Sequence, residues 1–403
     1  MQKIVIIGGG ASGLSCAIKS KNNNNEVIIL EKNSVCGKKI LATGAGRCNY
    51  YNDNQDLGNY YSNSKNLDKI ITKENNLKVE QFFKELGVVP KIKNGYYYPM
   101  SNQASSIRNI LVEKVLSKNI KIIENAFVKD VVKENDKFRV YYNNEEIIAD
   151  KVVLATGSYA GVSDISNSGY EVLNKFNLKI EKVLPSLVQL KAKGDFFKKW
   201  NGVRCDAKVS LYEDDNFLKE EIGELQLTDY GISGICIFNL SGYVSRGLKK
   251  KKHEFIKIDF LPSIDRLEEF FLKRSETLND VSIKTFLEPL LNYKLVDLFL
   301  DLAHIKKDKL YQELTNDERN ALISIIKSFY LELTGTNSYS KAQTCTGGLS
   351  LDEVDLSTME VKQIRNLYVI GELIDVDGIC GGYNLTFAWL SGILAGSDIS
   401  DKS

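Results

Sequence analysis

Residues 4–13 read Ile-Val-Ile-Ile-Gly-Gly-Gly-Ala-Ser-Gly. An apolar run that ends in Gly8-x-Gly10-x-x-Gly13 predicts a buried strand, a tight turn and a helix. One glycine allows the turn, one lets backbone approach a pyrophosphate, and one lets the helix sit close on the strand. The helix that follows aims its free N–H groups and positive dipole end at phosphate. A second apolar run, Glu26–Leu30, ends at Glu31. That is the distance expected for an acid that holds a ribose hydroxyl. Strand, glycines, helix and acid together predict dinucleotide binding.

The rest of the composition narrows the class. The chain has 403 residues, enough for two or three domains, with 43% hydrophobic and 26% charged residues. A net charge of +1 gives no field that selects nucleic acid. The seven cysteines form no CxxC pair, so neither a zinc site nor a disulfide framework is expected. Only two histidines are present, His253 after a lysine run and His304 beside Lys306 and Lys307. Metal catalysis and Ser-His-Asp chemistry are poorly supported. The first strand begins at Gln2 or Lys3, which leaves no room for a leader, and no apolar run reaches membrane-spanning length. A cytoplasmic protein with no membrane and no nucleic-acid partner is expected. Oligomeric state is not readable.

Downstream, Gly37-Lys38-Lys39-Ile40-Leu41-Ala42-Thr43-Gly44-Ala45-Gly46-Arg47-Cys48-Asn49 is rich in glycine and small polar residues. Placed directly after the fingerprint, it is expected to wrap a ligand, with Arg47 as a cation for phosphate or an electron-rich ring. Tyr96-Tyr97-Tyr98-Pro99 reads as a short edge strand. Phe138–Tyr142 and Glu146–Ile148 read as a hairpin around Asn143-Asn144. Lys151–Leu154, followed by Ala155-Thr156-Gly157, is another buried strand with a small-residue turn, at the end of a parallel sheet where ligands bind. Near Pro185 the pattern changes to antiparallel alternation. From Asp265 to Leu333 it turns helical.

After Thr346 nucleotide-type motifs resume. Leu367-Tyr368-Val369-Ile370-Gly371-Glu372 is a third buried strand, and Gly381-Gly382-Tyr383-Asn384 leads into an apolar helix containing Trp389. Nucleotide elements at both ends of the chain point to FAD, which lies extended. Its pyrophosphate would sit at the first glycines and its isoalloxazine ring near the last strand and helix. Glu372 would meet the ribityl chain, and the helix beginning near Gly382 would place its positive end beside N1 and the C2 carbonyl. Asn384 is read as bringing N–H groups to the pyrimidine edge, or as a simple helix cap.

These motifs (GGGASG, GKKILATGAGRCN, VVLATGS, GEL-x-DVDG-x-x-GGYNL and AW-x-SG) resemble those of the HI-type single-Rossmann flavoproteins. These are NAD(P)/FAD-dependent oxidoreductases that include aminoacetone oxidases and bile-acid 4-ene reductases. The resemblance runs end to end. It implies an α/β fold: a Rossmann-type FAD-binding domain in pieces (1–185 and 345–403), an inserted β-barrel-like substrate domain (186–262) and a small helical domain (263–344). It implies FAD contacts at Gly8, Gly10, Ala11, Ser12, Gly13, Glu31, Lys32, Lys39, Arg47, Cys48 and Asn49. Further along it implies contacts at Val128, Thr156, Gly157, Gly371, Glu372, Gly382, Tyr383 and Asn384. Many relatives carry His and Pro in the insert motif where this chain has Asp229 and Ile235. Any role for that His is absent here.

The expected activity is hydride transfer between flavin N5 and a small organic substrate. The favoured version is an NAD(P)H-dependent reductase of an activated C=C bond, such as that of a steroid-like enone. An amine oxidase of the aminoacetone oxidase type and a non-enzymatic flavin redox sensor are the alternatives. No second GxGxxG is present for NAD(P)H, which would be a transient donor. Tyr98, Tyr230 and Tyr383 are candidate proton donors by position, and the sequence names none of them. The purified protein is expected to release FAD and no FMN, because the fingerprint and Glu31 read a pyrophosphate and an adenosine ribose. Mass spectrometry of the released cofactor checks this, and FMN alone would refute it.

Overall fold

A computed structural model describes residues 1–162 and 168–403. The chain divides into two compact units, Met1–Val183 with Thr344–Ser403, and Leu184–Gln343.

The first unit is built on a five-stranded parallel sheet. Its order is Leu367–Val369, Lys151–Leu154, β1 (Gln2–Ile7), β2 (Asn25–Leu30) and Lys121–Ile123. Ile4, Val5 and Ile6 are fully buried, as strands covered on both faces must be. Helix α1 (Ala11–Ser20) crosses from β1 to β2, and Tyr383–Asp401 forms the last helix. These two helices pack unusually close. A Cβ added at Gly392 would stand 2.4 Å from the Ser12 carbonyl oxygen, and one at Gly396 would stand 2.6 Å from that of Cys16. Small residues on both helices permit this approach. Trp389 then fills the space beside them, donating its indole N–H to the Tyr50 carbonyl at 3.0 Å and meeting Phe83 edge-on.

Val128–Glu134, Lys137–Tyr142 and Glu145–Ala149 form an antiparallel meander, with Asn143 in a left-handed turn between the last two. Tyr96–Pro99 is the middle strand of a small sheet, between Tyr51–Asn52 and Pro90–Lys93, where the sequence suggests an edge. Pro99 is tolerated because it closes the strand.

The second unit is a closed six-stranded barrel. Five of its strands fall within Leu190–Asp259, and the sixth is Phe329–Thr336. Helices Leu267–Thr277, Ile283–Leu287, Tyr293–Leu302 and Asn316–Lys327 lie between the last two barrel strands in the chain. The helical pattern read from Asp265 to Leu333 therefore stops at Lys327. Phe329, Leu331 and Leu333 alternate with exposed or half-buried neighbours, which is a strand pattern. Barrel and helices share one core, in which Trp200 and Phe329 meet at 5.6 Å and Phe260 and Phe299 at 5.1 Å. The expected break between 262 and 263 is not a break in that core.

One buried acid stands out in this unit. Glu254 is 1% exposed and lies directly across the barrel ladder from Glu213. Its carboxyl oxygens are shut off from solvent, and the group they face is the Glu213 carboxyl. Burial, then the facing Glu213, push its pKa up to about 8, with Asp214 adding to the rise and Lys252 opposing it. A glutamate in an unfolded chain loses its proton from about pH 4.5 upward, whereas the folded protein holds it until about 8. Stability from this group is therefore complete in acid and falls as pH rises across that window. Glu254→Gln should raise the melting temperature at pH 8.5 by about 3 °C or more and change it little at pH 5. Equal shifts at both pH values, read by scanning calorimetry, would contradict the assignment.

Candidate functional site

The fingerprint is assembled by backbone contacts. Gly8 adopts φ +111° and donates its N–H to the Leu30 carbonyl at 2.8 Å. A Cβ at Gly13 would lie 1.9 Å from the Gly8 carbonyl oxygen, so helix α1 seats directly on the turn. The first intrahelical bond is Leu14 N–H to the Gly10 carbonyl, 2.9 Å. The N–H groups of Ala11, Ser12 and Gly13 precede it and point out of the helix end. Gly10 differs from its neighbours. It has no left-handed φ, and a Cβ there would meet nothing within 4 Å. The packing of the protein does not require glycine at position 10, and the space beside the turn there is open.

Glu31 is buried and anchors this turn. One carboxylate oxygen accepts the Gly9 N–H at 2.8 Å; the other accepts the Asn33 backbone N–H at 2.8 Å and its side-chain amide at 2.6 Å. The Glu31 carbonyl accepts the Ala126 N–H at 2.8 Å, which brings buried Val128 to the same end of the site. Lys32, next in the chain, is exposed. Gly9 has a role that the motif does not announce, since a Cβ there would stand 2.4 Å from the Cys36 sulfur.

The segment 37–49 is fastened to the fingerprint by Gly37 N–H to the Gly9 carbonyl, 2.7 Å. It forms a short helix, Lys38–Ala42, then a tight coil in which Gly44, Ala45 and Cys48 all take left-handed φ. The Arg47 guanidinium stacks over the Tyr98 ring at 5.4 Å. Asn49 is buried, and its side-chain carbonyl oxygen has no partner. That oxygen lies 2.9 Å from where a Cβ on Gly382 would be, at the start of the C-terminal helix. The first bond of that helix is Thr386 N–H to the Gly382 carbonyl, so the N–H groups of Tyr383, Asn384 and Leu385 precede it. An orphaned acceptor thus stands beside a set of helix-end donors.

The Asn384 side chain is not the helix cap. Its amide donates to the Gly378 carbonyl at 2.7 Å and its oxygen accepts the Gly378 N–H at 2.9 Å. It closes the Gly378–Gly382 turn, and Gly382 is the cap residue. Tyr383 is buried at the same point, with its phenol taking the Asn59 amide at 3.1 Å.

Between the two ends, Gly371 takes φ +70° and lies so close to α1 that a Cβ would stand 2.5 Å from the Ser12 hydroxyl. Its neighbour Glu372 pairs with Lys39 at 2.6 Å and lies beside Gly157, which follows Thr156 at the end of the Lys151–Leu154 strand. Ser158 also donates to Glu372 at 3.4 Å, and Tyr170 donates to the Glu372 carbonyl at 3.3 Å. Ser158 and Tyr170 are not in the sequence-based set. Ser158 is adjacent to Thr156-Gly157 and carries a local signal, whereas Tyr170 carries none. Contacts run from Glu31 through the fingerprint to Gly37, from Gly371 to Ser12, from Glu372 to Lys39, and from Asn49 to Gly382.

Three thiols near the site are held in the neutral form. Burial pushes Cys36 and Cys345 up to about 12 and Cys48 up to about 11, so all three stay protonated near neutrality. Among the described residues no group of three or more His, Cys, Asp or Glu is placed to hold a metal, and no helix is long and apolar enough to cross a membrane. The site offers anion-binding helix ends, hydrogen-bonding groups and an ion pair, which suits a cofactor that carries the redox chemistry itself.

Comparison with known proteins agrees with this character. The model of the HI0933-like protein Rossmann domain matches residues 2–398. A 3-dehydro-bile acid delta(4,6)-reductase of Clostridium scindens is 36% identical, with 100% of both chains covered. A ribosomal RNA dihydrouridine synthase of Escherichia coli is 27% identical, over 98% of this chain and 97% of that protein. The crystal structure of a 3-ketosteroid delta1-dehydrogenase from Sterolibacterium denitrificans, in complex with 1,4-androstadiene-3,17-dione, superposes with a TM-score of 0.51 at 11% identity, with 100% of both chains covered. At that identity the likeness is one of fold. The chain belongs to the HI0933-like Rossmann family and is a flavoprotein oxidoreductase.

Proposed function

We propose that this protein is an FAD-dependent reductase that adds hydride across a C=C bond conjugated to a carbonyl in a small organic molecule, with NAD(P)H as the transient electron donor. One observation carries the cofactor side. The unpartnered Asn49 oxygen beside the N-terminal donors of the last helix suits the flavin pyrimidine edge, which offers one N–H donor flanked by acceptors. In this reading Gly10, Ala11, Ser12 and Gly13 take the pyrophosphate. Glu31, Lys32 and Val128 take the adenosine end. Lys39, Thr156, Gly157 and Glu372 take the ribityl stretch. Arg47, Cys48, Asn49, Gly382 and Tyr383 frame the ring, and Asn384 holds their turn in place. Gly8 and Gly371 supply the close backbone approach. When bound, the flavin supplies a hydride carrier. Donors at the pyrimidine edge favour its reduced, negatively charged form.

The substrate side rests on the 36% identical bile-acid reductase. A second reading follows from the dihydrouridine synthase, since the C5=C6 bond of uracil is likewise conjugated to a carbonyl. In that reading the substrate is a base in RNA. Anaerobic stopped-flow mixing tests both. NADH or NADPH should bleach the flavin, and a 4-ene-3-oxo steroid should restore its colour. Recovery with uridine-containing RNA alone would move the assignment to the second reading. Bleaching by an amine, and by neither nucleotide, would remove the reductase altogether.

The cofactor assignment has its own check. Gly10→Val should cost the protein its FAD and leave far-UV circular dichroism unchanged, because the added side chain enters open space that a pyrophosphate needs. Gly13→Ala should instead destabilise the fold itself, by about 1–3 kcal/mol or more, because its methyl group collides with the Gly8 carbonyl. Stoichiometric FAD in Gly10→Val would mean that the turn is not the phosphate site.

A further inference from the structure

Three tyrosines compete as proton donor, and their hydrogen bonds separate them. The Tyr383 phenol takes the Asn59 amide at 3.1 Å. The Tyr230 phenol, in the barrel unit, takes the Asn337 amide at 3.1 Å. The Tyr98 phenol has no hydrogen-bond partner among the described residues. Tyr98 is half-buried on the central strand of its sheet. Side chains alternate there: Tyr97 turns to the Tyr50 and Tyr51 rings, at 6.3 and 5.1 Å, and Tyr98 turns the other way. On that side its ring lies 3.7 Å from the position of a Cβ on Gly44, a point that is itself 2.9 Å from the Asn49 nitrogen. The Arg47 guanidinium covers its face at 5.4 Å. A free phenol and a cation therefore stand together beside the residue assigned to the flavin ring.

We infer that Tyr98 is a catalytic residue, donating its phenol proton to the substrate carbonyl oxygen, with Arg47 as the cation that stabilises charge there. The inference rests on the proposed reductase. A bound flavin would supply hydride to the β carbon; as that C–H bond formed, the C=C pair would move toward the carbonyl and the carbonyl pair onto oxygen. That oxygen takes the Tyr98 proton. The enol so formed then gains a proton from water at the α carbon and returns its O–H proton to Tyr98. The net addition is one hydride and one solvent proton. Nothing in this step calls on a metal or a thiol.

Tyr98→Phe removes the proton and keeps the ring under Arg47. It should bind FAD with unchanged affinity, by fluorescence titration of the apoprotein, and be bleached by the nucleotide at the wild-type rate. Reoxidation by the enone should slow about 100-fold. Tyr97→Phe, on the opposite face of the strand, should do none of this. A readout independent of turnover is the carbonyl stretch of a bound saturated 3-oxo steroid in isotope-edited infrared spectra. Wild-type protein should shift it to lower frequency, and Tyr98→Phe should lose that shift. Wild-type reoxidation and an unchanged carbonyl band in Tyr98→Phe would overturn the role of Tyr98 and leave the reductase standing. A wild-type protein that binds FAD and is reoxidised by no enone would overturn both.

Discussion

The site depends on a close approach between two helices that are nearly the whole chain apart in sequence. Gly392 and Gly396 let the last helix lie against the backbone of α1 at Ser12 and Cys16. A methyl group at either glycine would push the helices apart, because the opposing atoms are backbone and cannot turn aside. The approach sets where the Gly382 end of the last helix falls. It also fixes Gly371, whose N–H is held by the Ser391 hydroxyl at 3.0 Å and whose Cα abuts the Ser12 side chain. The parallel sheet supplies strand ends, but this contact aligns two helix N-termini along one path. Two positive dipole ends along one path favour an anion at each, and the proposed dinucleotide with its reducible ring would offer both.

The ion pair between Lys39 and Glu372 belongs to the same path and is held loosely. Its side chains are 49% and 20% exposed, so the pair contributes less than about 1 kcal/mol. Both groups can therefore be recruited by hydroxyls at small cost. Glu31 is the opposite case. Three N–H bonds to a buried carboxylate make it part of the turn itself. Replacing it would leave the Gly9 N–H without its acceptor, a cost paid by the fold before any ligand arrives.

What the sequence discloses follows from how local each cause is. The glycine fingerprint is readable because a turn of that shape admits only glycine at fixed offsets. Val152, Val153 and Leu154 are readable as a strand because burial on both faces demands an unbroken apolar run. Asn384 is not readable. Its partner is the Gly378 peptide, and nothing in a Gly-rich stretch says which way an amide will turn. Strand Phe329–Thr336 is misread as helix because Ile325 and Ile326 lead into Phe329 at helical spacing. The switch to period two has meaning only once Phe255–Ile258 lies alongside. Glu254 hides for a related reason, since a glutamate in an alternating strand is ordinarily the outward residue. Its register opposite Glu213 appears only when the barrel closes.

The chemistry can be assigned by elimination as well as by fit. The buried thiols of Cys36, Cys48 and Cys345 on the path have raised pKa values, so none of these three is poised to exchange a disulfide. The two histidines lie in the barrel unit, where His253 is exposed and faces the Tyr330 phenol at 3.4 Å. Within the first unit, acid–base work near the ring of the proposed reductase is left to phenols, to Lys39 and Glu372, or to water. Of the phenols there, that of Tyr383 is already engaged by a neighbouring amide, whereas Tyr98 presents its own beside a guanidinium. A hydride acceptor conjugated to a carbonyl develops its negative charge on oxygen. The best use of a neutral donor next to a fixed cation is at that oxygen, where both interactions strengthen as the reaction proceeds.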